Sequence, residues 1–221
     1  MEPITSDDLV QYFQIFKPPC YNVNSLKITT HLRQDTLRKA AVFIGFVERK
    51  DHLSVVLTRR AKHLKHHPGQ ICFPGGKYED GDMTLAQTAL RETHEELGIP
   101  AQQIRIIGQM RPITSISRFS VTPIVGLLDP NFECTIDPNE VDEVFEVPAE
   151  HLLDHANLCT STHQYRGIQH EVLAIPYLHY FIWGMTAQII EGMQRHLNFN
   201  FSLKSEQRKA AHFLVNTQIN A

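Results

Sequence analysis

The chain has 221 residues, 42% hydrophobic and 20% charged, which is enough for one substantial core and fits an ordinary globular domain. A formal net charge of −3 gives no electrostatic case for a nucleic-acid partner. Four cysteines (Cys20, Cys72, Cys134 and Cys159) lie far apart without a C-x-x-C pair, and the 13 histidines form no zinc-ligand spacing, so neither a disulfide framework nor a zinc cluster is expected.

The first residues, "MEPITSDDLV", lack the cationic start and apolar run of a secretory leader. No apolar stretch is long enough to span a bilayer, and "NTQINA" is not an organelle-addressing tripeptide. A cytoplasmic protein with no membrane partner is the expectation.

Leu9, Tyr12, Phe13 and Phe16 recur at helical spacing ahead of Pro18-Pro19, which predicts a helix over about residues 6–17. A polar connector runs to about Lys39. "AAVFIGFV" (Ala40–Val47) and "LSVVLTRR" (Leu53–Arg60) are β-branched apolar runs, and the "ERKDH" between them predicts a hairpin. "AKHLKHHPG" is a basic loop, and "QICFP" an extended piece that delivers Gly75-Gly76. Thr84 followed by Gln87 fits a helical capping box, with Asp82 a competing N-cap; Gly98 supplies the C-cap and Pro100 prevents continuation. "IRIIGQM" and "VTPIVGLL" read as strands, and "VDEVFEVPAEHLLDH" as a strand end turning into a short helix. "THQYRGIQHEVLAIPYLHY" predicts a β-hairpin, "YFIWGMTAQIIEGMQRHL" a second long helix, and a polar tail follows from about residue 198. The expected organisation is a single domain over 1–221, of α/β or α+β class with a mixed sheet.

The helix from Thr84 to Leu97 carries the chemistry. On a wheel of 3.6 residues per turn, Ala86, Ala89, Leu90, Thr93 and Leu97 share a core-facing arc. Glu92, Glu95 and Glu96 share the adjacent arc from two successive turns. A surface helix normally separates such charges or pairs them with Lys or Arg four residues away, and here Arg91 is the only cation on the helix. Clustering without local neutralisation makes sense if a divalent cation completes the site, and Mg²⁺ or Mn²⁺ suits hard carboxylate oxygens. The Gly75-Gly76 pair lets backbone approach a ligand or the helix closely. Arg91 can orient a neighbouring carboxylate by paired hydrogen bonds.

These residues resemble the Nudix signature, G-x5-E-x7-R-E-U-x-E-E-x-G-U with U bulky and apolar, over residues 76–99. Arg91-Glu92, Glu95-Glu96, Gly98 and Ile99 agree. Thr93 is smaller and more polar than the pattern prefers, and the acidic position is Asp82, eight residues before Arg91 rather than seven. "LTRRAKHLKHHPGQICFPGG" (Leu57–Gly76) is similar to the L-L-T-x-R-S…L-x-x-H-x-G-Q-x-x-F-P-G-G motif of coenzyme A pyrophosphatases, a branch that shares the shifted box. The resemblance continues through "VTPIVGLL", "EVDEVFEVP" and "YFIWGMTAQII".

The resemblance implies a Nudix α/β/α sandwich with a mixed sheet and a loop–helix–loop box. It implies a Mg²⁺- or Mn²⁺-dependent hydrolase that cleaves the pyrophosphate of coenzyme A or its derivatives to 3′,5′-ADP and 4′-phosphopantetheine. Carried over residue by residue, it makes Glu92 and Glu96 metal ligands. Glu95 is either a ligand to a second ion or the general base, and Arg91 joins it in the catalytic group. Asp82 is either a further ligand or an N-cap. Among the basic residues before the box (Arg59, Arg60, Lys62, His63, Lys65, His66 and His67), Arg59 and His66 are the expected substrate contacts, with Gly75 and Gly76 beside them. Cys72 reads as a packed core thiol, His94 as solvent-exposed and Trp183 as a packing residue. A homodimer is compatible with the pattern. Two other functions fit the residues: a Nudix hydrolase of ADP-ribose, NADH or another nucleoside diphosphate derivative, and a non-catalytic nucleotide-binding Nudix domain.

Overall fold

In a computed structural model of the chain, residues 4–21, 36–165 and 168–197 are described. The first helix, α1 (Ser6–Ile15), starts at a reciprocal capping box between Thr5 and Asp8, a stop-and-start signal one residue ahead of its first turn. Most of the expected connector to Lys39 and the whole of the expected tail from residue 198 lie outside the described residues.

Two long strands form the centre: β1 (Arg38–Arg49) and β2 (His52–Arg60), joined by the tight turn that the sequence predicts. Two short strands follow, β3 (Ile71–Cys72) and β4 (Gly75–Lys77), pairing with β2 and β1 respectively. Helix α2 (Leu85–Leu97) leads to β5 (Ile104–Gln109), β6 (Ile113–Thr114) and β7 (Phe119–Leu128). β7 runs parallel to β1 over ten register pairs, and β5 and β6 pair antiparallel with β7. β8 (Val141–Pro148) closes the far side of β2, and α3 (Ala149–Leu153) follows at once. The result is a mixed eight-stranded sheet.

Period-2 alternation along β1 assigns its two faces. Ala41, Phe43 and Val47 meet Ala89, Leu97 and Ile99 in the core under α2. Ala40, Ile44 and Phe46 meet Leu9, Tyr12, Ile190 and Met193 in the larger core on the other face. Leu97 and Ile99 are fully buried, each contributing roughly 1.5–3 kcal/mol of transfer free energy that ties α2 to the sheet. Helices therefore cover both faces, as the α/β/α expectation requires.

The end of the described chain corrects one expectation. β9 (Cys159–Tyr165) and β10 (Ile168–Tyr177) form the expected hairpin, but "YFIW" continues it as β11 (Tyr180–Trp183) instead of opening a helix. Ile182 pairs with Ile175 and is buried, so alternation wins over the helical run of apolar residues. Gly184, at φ 66°, then breaks the strand, and the last helix, α4, begins at residue 185 and continues to 197.

Candidate active site

Helix α2 starts where the sequence predicts, with a small change in the cap. The Thr84 hydroxyl accepts from the Gln87 N–H at 3.2 Å, while the Gln87 side chain accepts from the N–H of Met83 at 2.7 Å, one residue outside the usual reciprocal bond. At the other end Gly98 adopts φ 69°, and its N–H donates to the His94 carbonyl at 2.8 Å. The following orphan carbonyls are met by a distant loop: Thr135 N–H donates to Leu97 O at 2.8 Å and Asp137 N–H to Glu96 O at 3.0 Å. Thr93, the departure from the apolar position of the signature, is fully buried with its hydroxyl donating to Ala89 O at 2.7 Å, so its polarity is satisfied inside the helix.

Arg91 is the hub. Its Nε and Nη2 reach the two Asp82 oxygens at 3.1 Å each, and Nη2 also donates to the Lys77 carbonyl at 2.9 Å. Its Nη1 reaches Glu92 at 3.1 Å and Glu95 at 2.8 Å. Asp82 is thus neither an N-cap nor turned toward the glutamates. It is 6% exposed and also accepts from the Glu79 N–H and the Thr88 hydroxyl. The Arg91 guanidinium beside Asp82 holds its carboxyl down at about 2, and Asp82 in turn raises Arg91 further above its ordinary value. The turn in which Asp82 N–H meets Glu79 O at 2.9 Å folds the acid back under the helix, which absorbs the extra residue in the spacing.

The three glutamates differ sharply in environment. Glu95 is exposed apart from its bond to Arg91. Glu92 is mostly buried and lies against the β4 backbone, where a Cβ on Gly76 would overlap its carboxylate. Burial raises its carboxyl. Glu96 is 3% exposed, and burial pushes its carboxyl up to about 8 despite the charge of Arg60 and a hydrogen bond from the Gly75 N–H. Its Oε2 is buried without a hydrogen-bond partner. Among the described residues no three His, Cys, Asp or Glu side chains converge into a ready-made cage. Mg²⁺ needs none, since it takes one or two carboxylates and fills its remaining positions with water and phosphate oxygens. An orphaned carboxylate oxygen beside a second carboxylate fits that demand.

The basic strand end divides by parity. Thr58 and Arg60 face α2, and the charge of Arg60 acts on Glu96 and on Cys72. Cys72, paired with Thr58 across β2 and β3, has its thiol raised to about 11 by burial first and Glu96 second, which leaves it inert as a nucleophile. Arg59 points to the opposite face, bonded to Asp142 at 3.1 Å and Glu143 at 2.9 Å. There Tyr180 donates to Glu143 at 2.7 Å and stacks on Phe145. The structure therefore brings Arg60, and not Arg59, onto the face of the glutamates. Read letter by letter, the T-x-R and H-x-G-Q elements of the upstream motif also fall on Arg60 and His67. His66 is exposed in the loop, while His67 holds φ 55° and its carbonyl accepts from the Gln70 N–H at the turn that returns the chain to β3. The alternation Val56, Thr58, Arg60 is the sequence signal that identifies the facing arginine. His94 is exposed, as expected.

A family model for the NUDIX domain matches residues 36–165. The chain belongs to the Nudix family. A curated relative from Enterobacter sp. (strain 638), "Uncharacterized Nudix hydrolase NudL", is 39% identical over 189 residues, covering 85% of this chain and 92% of the relative. A protein of the same name from Salmonella paratyphi B is 38% identical with the same coverage. Among solved structures, the NUDIX domain of Shewanella oneidensis NrtR complexed with ADP ribose aligns over 88% of this chain and 99% of that one, at 17% identity and a TM-score of 0.47. Nudix hydrolases are pyrophosphohydrolases that act on nucleoside diphosphate derivatives and generally use divalent metal ions, and the acidic helix with its Asp82–Arg91 clamp lies inside the matched region. Among the described residues of this Nudix protein, no helix is long and apolar enough to cross a membrane.

Proposed function

We propose that this Nudix protein hydrolyses the pyrophosphate of coenzyme A or a coenzyme A derivative, releasing 3′,5′-ADP and 4′-phosphopantetheine or its acylated form. The observation that carries the reading is the Leu57–Gly76 segment: its strand end sets Arg60 toward Glu96, and its closing glycines receive Glu92 and Glu96. Exposed Lys62, His63, Lys65, His66 and His67 lie on the loop between those two ends, so positive charge gathers beside the box, as a substrate with a 3′-phosphate as well as a pyrophosphate requires.

Glu92 and Glu96 are the residues to hold Mg²⁺ or Mn²⁺, which when bound neutralises phosphate oxygens and lowers the pKa of a coordinated water. The chain does the rest of the work. Asp82 and the Lys77 carbonyl fix Arg91, and Arg91 fixes the rotamers of Glu92 and Glu95. Glu95, exposed on the same flank, is the side chain open to solvent that can take a proton from the attacking water or serve a second ion. The glycine pair keeps the strand flat against the carboxylates, leaving no side chain between backbone and substrate.

Mass spectrometry of coenzyme A incubated with the protein and Mg²⁺ or Mn²⁺ tests the reading, beside Glu96→Gln and a panel that includes ADP-ribose and NADH. Appearance of 3′,5′-ADP and phosphopantetheine, lost in the variant, is the expected result. Intact coenzyme A with cleavage of another panel member overturns the substrate and keeps the chemistry.

A further inference from the structure

We propose that the chain holds a second small-molecule site, remote from the glutamates, that takes a zwitterion: an ammonium and a carboxylate on one short carbon skeleton, as in a free amino acid. The site is an open cleft of about 340 Å³ at the carboxyl ends of β1 and β7. Those two strands run parallel and part here, β1 turning into β2 and β7 leaving through a loop at Asp129, which opens a crevice at the end of the sheet. Gly76, which receives Glu92, pairs with Ala41, and Glu48 stands seven residues further along the same strand. At the rise of an extended strand that separates the two places by roughly 23 Å. Binding there needs no metal and is independent of the reaction proposed above.

Strand alternation puts the lining on one face of the sheet. Phe46 and Glu48 alternate on β1, and Leu127, the register partner of both Phe46 and Arg105, carries that face across β7 to β5. Asp129 follows Leu127 at the same spacing, and Gln103, whose carbonyl accepts from the Asp129 N–H at 2.8 Å, extends the row. Further along β5 helix α1 covers the sheet, with Phe13 filling the space that a Cβ on Gly108 would need. At the cleft α1 contributes Ser6, whose hydroxyl donates to Glu48. The walls are fixed in advance: Arg49 donates to the Pro130 carbonyl at 2.6 Å, and the Asn131 N–H to the Asp129 side chain at 2.8 Å.

The chemistry of the cleft is bipolar. Glu48 on β1 and Asp129 at the end of β7 supply carboxylates, and Arg105 on β5, the outer strand of the three, supplies a guanidinium. Arg105 makes no hydrogen bond or ion pair with the described residues, Glu48 and Asp129 included. Between these charges Phe46 and Leu127 form an apolar floor, and Gln103 keeps its Oε1 buried without a hydrogen-bond partner, an acceptor that calls for a donor. A purely cationic ligand leaves Arg105 unmatched, and a purely anionic one faces two carboxylates. A zwitterion answers both, and its alkyl part covers the floor.

The experiment records amide ¹H–¹⁵N correlation spectra of the full chain, free of metal, titrated with the L-amino acids, glycine and the straight-chain ω-amino acids. Saturable shifts at residues 103–105 and 127–129 with at least one of them are expected, while the signals of residues 92–96 stay in place. The compound that binds is then compared with its two halves, the amine lacking the carboxylate and the acid lacking the amine. Each half should bind about tenfold or more weaker, because each forfeits one charge-assisted contact. Arg105→Gln should lose affinity by a similar factor, and Lys17→Gln, an equal charge change beyond the far end of α1, should lose none. Melting temperatures without ligand separate a lost contact from a lost fold. Absence of a saturable shift with every compound, equal binding by either half, or parent-like affinity in a folded Arg105→Gln overturns the inference and leaves the proposed pyrophosphate chemistry standing.

Discussion

Arg59 and Arg60 are adjacent in sequence, sit on the same strand and end in opposite electrostatic worlds. On its face of the sheet Arg59 forms ion pairs with both Asp142 and Glu143, and Tyr180 donates to Glu143, so each charged group there has a contact partner. On the other face the charge of Arg60 acts on Glu96, which lies beside Glu92 and keeps a buried oxygen without a hydrogen-bond partner. The ion-paired face reads as architecture, docking the β9–β11 sheet onto β8. The glutamate face reads as a site awaiting something from outside the chain. Charge content alone does not separate the two, and each holds a buried carboxylate oxygen without a hydrogen bond; the difference is that Arg59 reaches that oxygen of Glu143 in an ion pair at 2.9 Å.

Breaking the glutamate side has the largest expected effect. Glu96→Gln should lower turnover of the cleaved substrate by more than about 100-fold, beyond what loss of an outer-shell partner usually costs, with the fold retained by circular dichroism. Next comes the clamp that organises the glutamates. Arg91→Ala leaves Asp82, 6% exposed, without its cation, and urea unfolding should register a loss of about 3 kcal/mol. The two neighbouring arginines then give the sharpest contrast. Arg60→Ala should raise KM roughly tenfold at near-parent stability. Arg59→Ala should leave KM unchanged and cost about 1 kcal/mol, because Asp142 and Glu143 are both about a third exposed. If the arginine effects were exchanged, the assignment of faces would be wrong.

The smallest effect is on acid stability. Asp82 has its carboxyl lowered from 3.8 to about 2 in the folded protein, so its contribution is complete above the unfolded value and fades as pH falls through the folded one. Parent and Asp82→Asn should therefore differ most near neutrality and converge as pH drops from 3.8 toward 2, measured by urea midpoints across that range.

Much of this was legible in the sequence, for identifiable reasons. The acidic helix carries its own punctuation in Thr84, Gln87 and Gly98, and local capping is the kind of signal a sequence displays directly. Its face was legible too, because Glu92, Glu95 and Glu96 follow from a fixed period. What period could not reveal was depth: only the packed sheet makes Glu96 nearly inaccessible while Glu95, one residue before it, stays in solvent. Asp82 was misread because its partner, Arg91, lies beyond a turn whose backward fold no spacing rule contains. The "YFIW" segment failed for a different reason. An apolar run of that length suits strand or helix, and the neighbouring β10 decided.

The parallel pairing of β1 with β7 carries a kinetic consequence. It joins Arg38 to Phe119 and Val47 to Leu128, so the acidic helix, its clamp and the glycine pair all lie within the loop that this pairing closes. Closing so long a loop exacts entropy before any contact rewards it, and non-local parallel pairings form slowly. Helix α2 packs on Phe43 from the first of these strands and Ile124 from the second, so its supporting surface exists only once they have met. Recovery of cation binding during refolding should therefore track the assembly of the central sheet, with the acidic helix settling into place as a late event.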